Sequence, residues 1–222
     1  MKPRRILRTG IARLEKAYRR VRLVRHSPYE NIYHCCTQKT ASQWFRAVFA
    51  DPIVYKYTGL GEYRYTDWRN ELLGTVIDES LPLLDVSALL YAGCPRPLPL
   101  PSRTFGLNLY IGYETYASLP KPASYRTFFV LRDPRDIVVS WYFSTRFSHA
   151  PTSKHLVRSR EDLNGLNLQE GLKYSIDAIN EFGLYAGQRS WAENSPEDPS
   201  VQVLRYEDFA QDNLRFLANL FE

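Results

Sequence analysis

Lys39, Arg132 and Ser140 are the residues whose neighbours give them chemistry to do. Lys39 lies in the loop Thr37-Gln38-Lys39-Thr40, between a predicted strand over 31–36 and a predicted helix over 41–50. A lysine beside a helix N-terminus can hold an anion against unpaired backbone N–H groups. The helix dipole adds about 0.3–1 kcal/mol to such binding. An ammonium about 4 Å from a phosphate charge adds about 4 kcal/mol at an effective dielectric of 20, before desolvation. Arg132 follows the uninterrupted apolar run Phe128-Phe129-Val130-Leu131. Asp133 then suits an N-cap, Pro134 the first helical position and Asp136 the first turn. Ser140 falls one turn beyond Asp136, on the same helical face. A cation and a hydroxyl at a helix N-terminus fit a phosphate. The plainer alternatives are that Arg132 pairs with Asp133 or Asp136, and that Lys39 is an ordinary surface lysine.

The elements that must position these residues alternate between strand and helix. Apolar runs predict strands at 31–36, 53–57, 105–111, 128–131 and 201–204. Helices are predicted over 41–50, from Pro134 onward, over 168–187 and from Phe209, with patchy helical character over 71–91. Thr40 and Gln43 have the spacing of a capping box. Pro95, Pro97, Pro99 and Pro101 force an extended connection, and 151–163 is polar and predicted mobile. This alternation implies an α/β fold, one three-layer domain with a central parallel sheet flanked by helices. The carboxyl ends of such strands are where ligands bind, which is where Lys39 and Arg132 fall.

The chain has 222 residues, enough for one domain with a substantial core. Its net charge of +5 favours anionic ligands, although Lys2 to Arg25 holds many of the basic residues. Within 1–25 a stripe of Ile11, Leu14, Tyr18 and Val21 marks a basic amphipathic segment. It suits docking on the domain, or weak contact with an anionic membrane surface. The three cysteines make neither a disulfide framework nor a zinc pattern, and Cys35 and Cys36 are expected as buried free thiols. The absence of an apolar leader or a membrane-length run predicts a soluble, cytoplasmic chain. No interleaved basic and aromatic motif points to nucleic acid. The Lys39 loop has no glycine and is not a Walker A loop.

Three motifs in order resemble those of sulfotransferases. Gln38-Lys39-Thr40-Ala41-Ser42-Gln43-Trp44 resembles the family's 5′-phosphosulfate loop. Arg132-Asp133-Pro134-Arg135-Asp136 with Ser140-Trp141-Tyr142 resembles its 3′-phosphate motif. Arg205-Tyr206-Glu207-Asp208-Phe209 resembles its Tyr-Glu-Asp segment. The resemblance covers most of the chain and implies a P-loop NTPase-like sulfotransferase fold over 26–222. The implied donor is 3′-phosphoadenosine 5′-phosphosulfate (PAPS), with no metal. Lys39 would hold the transferring sulfuryl and its bridging oxygen. Thr40, Ala41, Ser42 and Gln43 would surround the 5′-phosphate, mainly through backbone N–H groups. Trp44 and Tyr206 would meet the adenine, and Arg132 and Ser140 the 3′-phosphate.

The chain departs from the family pattern in four places, one of them Ser42 and Gln43, where a Thr pair is common. The region 112–120 has no histidine where many relatives carry the general base, which makes Glu114 the expected substitute. His34 and His149 are expected to be structural. Ala41 stands where the loop usually has glycine, with little harm expected from a residue that suits a helical first turn. The chain ends at Phe221-Glu222, before a basic closing segment that many relatives carry, which implies a fragment or a naturally short form. The acceptor (a carbohydrate, lipid or phenol) and the oligomeric state are not legible. Two other functions fit the same residues: a nucleotide-dependent kinase-like enzyme, and a PAPS-binding module without catalysis.

Overall fold

A computed structural model of the chain describes residues 27–76, 97–150 and 154–221. The basic segment over 1–25, Cys94 and most of 71–91 lie outside the described residues. Five strands form one sheet: β1 (Asn31–Cys36), β2 (Gly61–Arg64), β3 (Thr104–Leu109), β4 (Tyr125–Leu131) and β5 (Val201–Arg205). Their order is β2-β3-β1-β4-β5, and every pair is parallel. The described helices are α1 (Ser42–Phe49), α2 (Pro52–Thr58), α3 (Tyr65–Val76), α4 (Tyr113–Ser118), α5 (Pro134–Phe143), α6 (Lys154–Asn164), α7 (Leu168–Glu181), α8 (Leu184–Asn194), α9 (Tyr206–Gln211) and α10 (Asn213–Phe221). Among the described residues no helix is long and apolar enough to cross a membrane.

Alternation along the strands builds two cores. Phe128 and Val130 of β4 pack on one face with Phe45, Phe49, Phe105, Leu107 and Phe216. Phe129, between them, points the other way to Tyr33, Trp68, Leu109, Tyr116 and Trp191. The Phe129 ring stacks on Trp191 at 4.5 Å. A third cluster joins Ile137, Trp141 and Tyr142 of α5 to Ile179 of α7 and Leu184 of α8. Cys35 and Cys36 are buried free thiols. His34 is fully buried, stacked on Phe128 at 4.7 Å. Burial holds its pKa down at about 3, so it packs as a neutral ring.

Several predicted elements differ. Residues 53–57 are β-branched and aromatic, yet they form helix α2. Asp51 caps it by accepting from the Ile53 N–H, Pro52 opens it, and Gly59 closes it at φ 66°. Local capping outweighs strand propensity there. The second strand is instead the short β2, which is polar and sits at the sheet edge. The helix predicted over 168–187 is two helices, broken where Gly183 turns left-handed at φ 69°. Of the polar stretch 151–163, the described part is helical, within α6.

The strand order fixes the site. Connections leaving β1 run toward β3 and β2, and those leaving β4 run toward β5. The chain therefore reverses its winding between β1 and β4, and a crevice opens at their carboxyl ends. Cys36 aligns with Val130, and Val130 with Leu204. Lys39, Arg132 and Tyr206 consequently leave the sheet side by side.

Candidate anion-binding site at the β1–β4 switch

A cleft of about 540 Å³ opens at these strand ends. Its lining includes Lys39, Ala41, Ser42, Gln43, Arg132, Ser140 and Tyr206. A larger hollow, about 910 Å³, lies at the opposite ends of the strands, walled by apolar residues such as Ile32, Phe49, Phe105 and Phe128. Size favours the hollow. Chemistry favours the cleft, where the motif residues converge and where no carboxylate appears among the described lining residues.

Two cations face this cleft without an anion. Lys39 sits at φ 69°, and burial together with the Arg132 charge lowers its pKa from 10.5 to about 8. Its Nζ donates to Ser144 Oγ at 2.5 Å and lies 3.0 Å from His149 Nε2. The Arg132 guanidinium lies over the Tyr206 ring at 3.9 Å, and its Nη1 donates to the Lys39 carbonyl at 2.7 Å. Arg132 Nε is buried with no partner. Asp133 pairs with Arg135 at 2.5 Å rather than with Arg132. It also caps α5 by accepting from the Arg135 N–H. The surface-pair alternative for Arg132 therefore does not hold.

Loop-to-loop bonds hold the cations in place. Gln188 of α8 accepts from the Arg132 N–H at 3.4 Å and donates to Thr37 Oγ1 at 2.7 Å. Glu207 accepts from the Asp133 N–H at 2.9 Å, which ties the third motif to the second. Gln188 carries no local sequence signal, because its partners are 56 and 151 residues away.

The β1–α1 loop departs from expectation. Thr40 does not cap α1: its hydroxyl is buried and donates to the Thr37 carbonyl at 2.8 Å. Ala41 is the N-cap residue, left-handed at φ 61°, with no side-chain cap. It occupies a glycine conformation, not a helical first turn, at a cost of about 1–2 kcal/mol. Ala41→Gly is expected to stabilise the chain by about 0.5–1 kcal/mol, read as a higher denaturant midpoint. An unchanged or lower midpoint would contradict the strained geometry. Ser42 Oγ accepts from Tyr110 OH at 2.8 Å, so its own O–H stays available to the cleft. Gln43 is exposed, with Arg46 within 3.5 Å of its side-chain oxygen.

The remaining expected site residues fall as follows. Ser140 is half-buried in the cleft wall, on the α5 face expected for it. Trp44 packs on Phe209 at 4.4 Å, behind Tyr206, and does not line the cleft. Glu114 is exposed in the first turn of α4, also outside the lining. Sequence reasoning missed Tyr110, Gln188, Ser144 and the placement of His149 beside Lys39. After α5 the chain forms a π turn over Ser144–Ser148, closed by the His149 N–H on the Ser144 carbonyl at 2.7 Å. Five residues at α-helical pitch would carry His149 about 140° round the axis from Ser144. The wider turn sets both against Lys39.

No protein-family model and no curated protein matches the chain. Solved structures that match include a mouse sulfotransferase, SULT7A1, complexed with PAP, at 14% identity and a TM-score of 0.41. That match covers 88% of this chain and 58% of the mouse chain. Another is a sulfotransferase domain from the curacin biosynthetic pathway, at 13% identity and a TM-score of 0.39, covering 89% of this chain and 73% of that one. This chain therefore spans a little over half the length of the mouse enzyme.

Proposed function

We propose that the chain is a sulfotransferase that takes its sulfuryl group from PAPS. The observation that carries this reading is the pair of uncompensated cations, Lys39 and Arg132. They stand at neighbouring strand ends over a cleft whose described lining has no carboxylate. Two anionic groups on one ligand, a 5′-phosphosulfate and a 3′-phosphate, match two cations held apart by one loop bond. The orphaned Arg132 Nε supplies a buried donor in need of an acceptor.

When bound, PAPS supplies an activated sulfuryl on a good leaving group. The chain's own residues do the rest. Arg132 and Ser140 hold the 3′-phosphate through an ionic and a neutral hydrogen bond. Backbone N–H groups at the start of α1 receive the 5′-phosphate. Lys39, already partly desolvated, places its ammonium where negative charge grows on the departing phosphate oxygen. Tyr206 keeps Arg132 aimed into the cleft. The acceptor supplies a hydroxyl or amine.

The test is transfer of labelled sulfate from PAPS to panels of glycans, lipids and phenols. Transfer that is blocked by the product 3′-phosphoadenosine 5′-phosphate (PAP) supports the reading. Donor binding with no transfer to any acceptor would replace it with a binding module. Magnesium-ATP outcompeting PAP would replace it with a kinase-like enzyme.

A further inference from the structure

Beside Lys39 stands a titratable side chain that the donor-binding motifs leave unused, His149. Its Nε2 lies 3.0 Å from Lys39 Nζ, at the exposed edge of the cleft where an acceptor would arrive from solvent. The π turn sets it there through the 2.7 Å bond from its N–H to the Ser144 carbonyl. Arg160 of α6 fixes the other end of the residue by donating to the His149 carbonyl. Such π turns recur at functional sites because they re-aim side chains that regular helix would point elsewhere. Glu114, by contrast, does not line the cleft.

Resting on the sulfuryl-transfer reading above, we propose that His149 is the general base of this site, accepting the acceptor's proton at Nε2. In the free protein Lys39 Nζ donates to that nitrogen. With PAPS bound, the ammonium turns to the phosphosulfate and leaves the Nε2 lone pair free. The acceptor oxygen then forms its bond to sulfur while the sulfur–oxygen bond to the 5′-phosphate breaks. The electron pair of that bond leaves on the phosphate oxygen beside Lys39, and the acceptor's proton passes to Nε2. The same device keeps the base masked until a donor is present. The charged groups around His149 among the described residues are Lys39 from the β1–α1 loop and Arg160 from α6, with His155 at the start of α6 on the same cleft. Partial burial and those two cations hold the His149 pKa below its ordinary 6.5. The ring is therefore neutral, and able to accept a proton, at physiological pH.

The test uses the full chain with PAPS as donor and water or added ethanol as acceptor, read as release of PAP. Calorimetry with PAP runs beside it. His149→Gln is expected to lower turnover by about 10²-fold or more, with PAP affinity within about threefold of the parent, since no hydrogen bond to the donor is lost. The fall in parent turnover on the acid side, below about pH 6.5, should vanish in the variant, and added imidazole should restore part of the rate. Turnover within about threefold of the parent would overturn the assignment. So would a loss that tracks PAP affinity, or a large drop in Glu114→Gln alone. A parent that binds PAP but shows no turnover also overturns it. A parent that fails to bind PAP overturns the donor reading instead, and calorimetry separates the two failures.

Discussion

Arg132→Ala is expected to remove most of the preference for a 3′-phosphorylated nucleotide, weakening PAP by up to about 10²-fold. A charge-assisted hydrogen bond is worth about 1.5–3 kcal/mol, and Arg132 has more than one donor to offer. The guanidinium is pre-aimed: it lies on the Tyr206 face at 3.9 Å, with Nη1 on the Lys39 carbonyl and Nε unpartnered. Little ordering is left to do on binding. Because Nη1 also anchors the Lys39 loop, Arg132→Lys is the sharper variant. It keeps the charge but loses the planar fork, and should retain about a tenth of the parent affinity, a loss of about 1.4 kcal/mol. Adenosine 5′-monophosphate, which lacks the 3′-phosphate, should bind Arg132→Lys and the parent within about threefold, because the lost fork makes no bond to it. Calorimetry gives each affinity. Equal losses for both nucleotides would mean that Arg132 acts only through the loop.

Lys39→Met should remove at least about 10²–10³-fold of the turnover and yet stabilise the ligand-free protein. On the proposed function, the first part follows from loss of the cation that would meet charge on the departing phosphate. The second follows from the direction of the pKa shift. Burial and the neighbouring Arg132 lower the Lys39 pKa from 10.5 to about 8, so its charged form opposes folding. Between about pH 8 and 10.5 the unfolded chain binds the extra proton, and stability rises with pH across that window. At neutral pH the half-open cleft leaves about 1 kcal/mol of that penalty after solvent screening. Methionine of similar length avoids it, raising Tm by about 2–4 °C. The same titration acts on the ligand. PAP affinity in the parent should fall as pH rises through about 8 and stay flat in Lys39→Met. A destabilised Lys39→Met, or a flat parent profile, would contradict the electrostatic reading of the cleft.

The parts of the fold most legible in the sequence are those set by strong local signals. Phe128 to Leu131 had to be a covered strand, and Asp133 and Pro134 had to start a helix; both hold in β4 and α5. The three motifs converge because parallel register brings Cys36, Val130 and Leu204 to one level. Local signals misled where two competed: at 53–57 the Asp51 cap and Gly59 terminator prevail over β-branched composition. Ala41 departs from the expected helical first turn because its backbone angle is imposed by the loop and leaves no trace in residue type. The same holds for Tyr110 on Ser42, Gln188 on Thr37, and the π turn that delivers His149. Each depends on contacts made only after the sheet is assembled.

The central claim is that the cleft recognises a nucleotide by two anionic ends at once. Calorimetric titration of the full chain with PAP and with adenosine 5′-monophosphate at neutral pH tests it most directly. The proposed function predicts PAP binding about 10²-fold tighter, equivalent to about 2.7 kcal/mol from the 3′-phosphate. Equal affinity for the two nucleotides, or no binding of PAP, would contradict it.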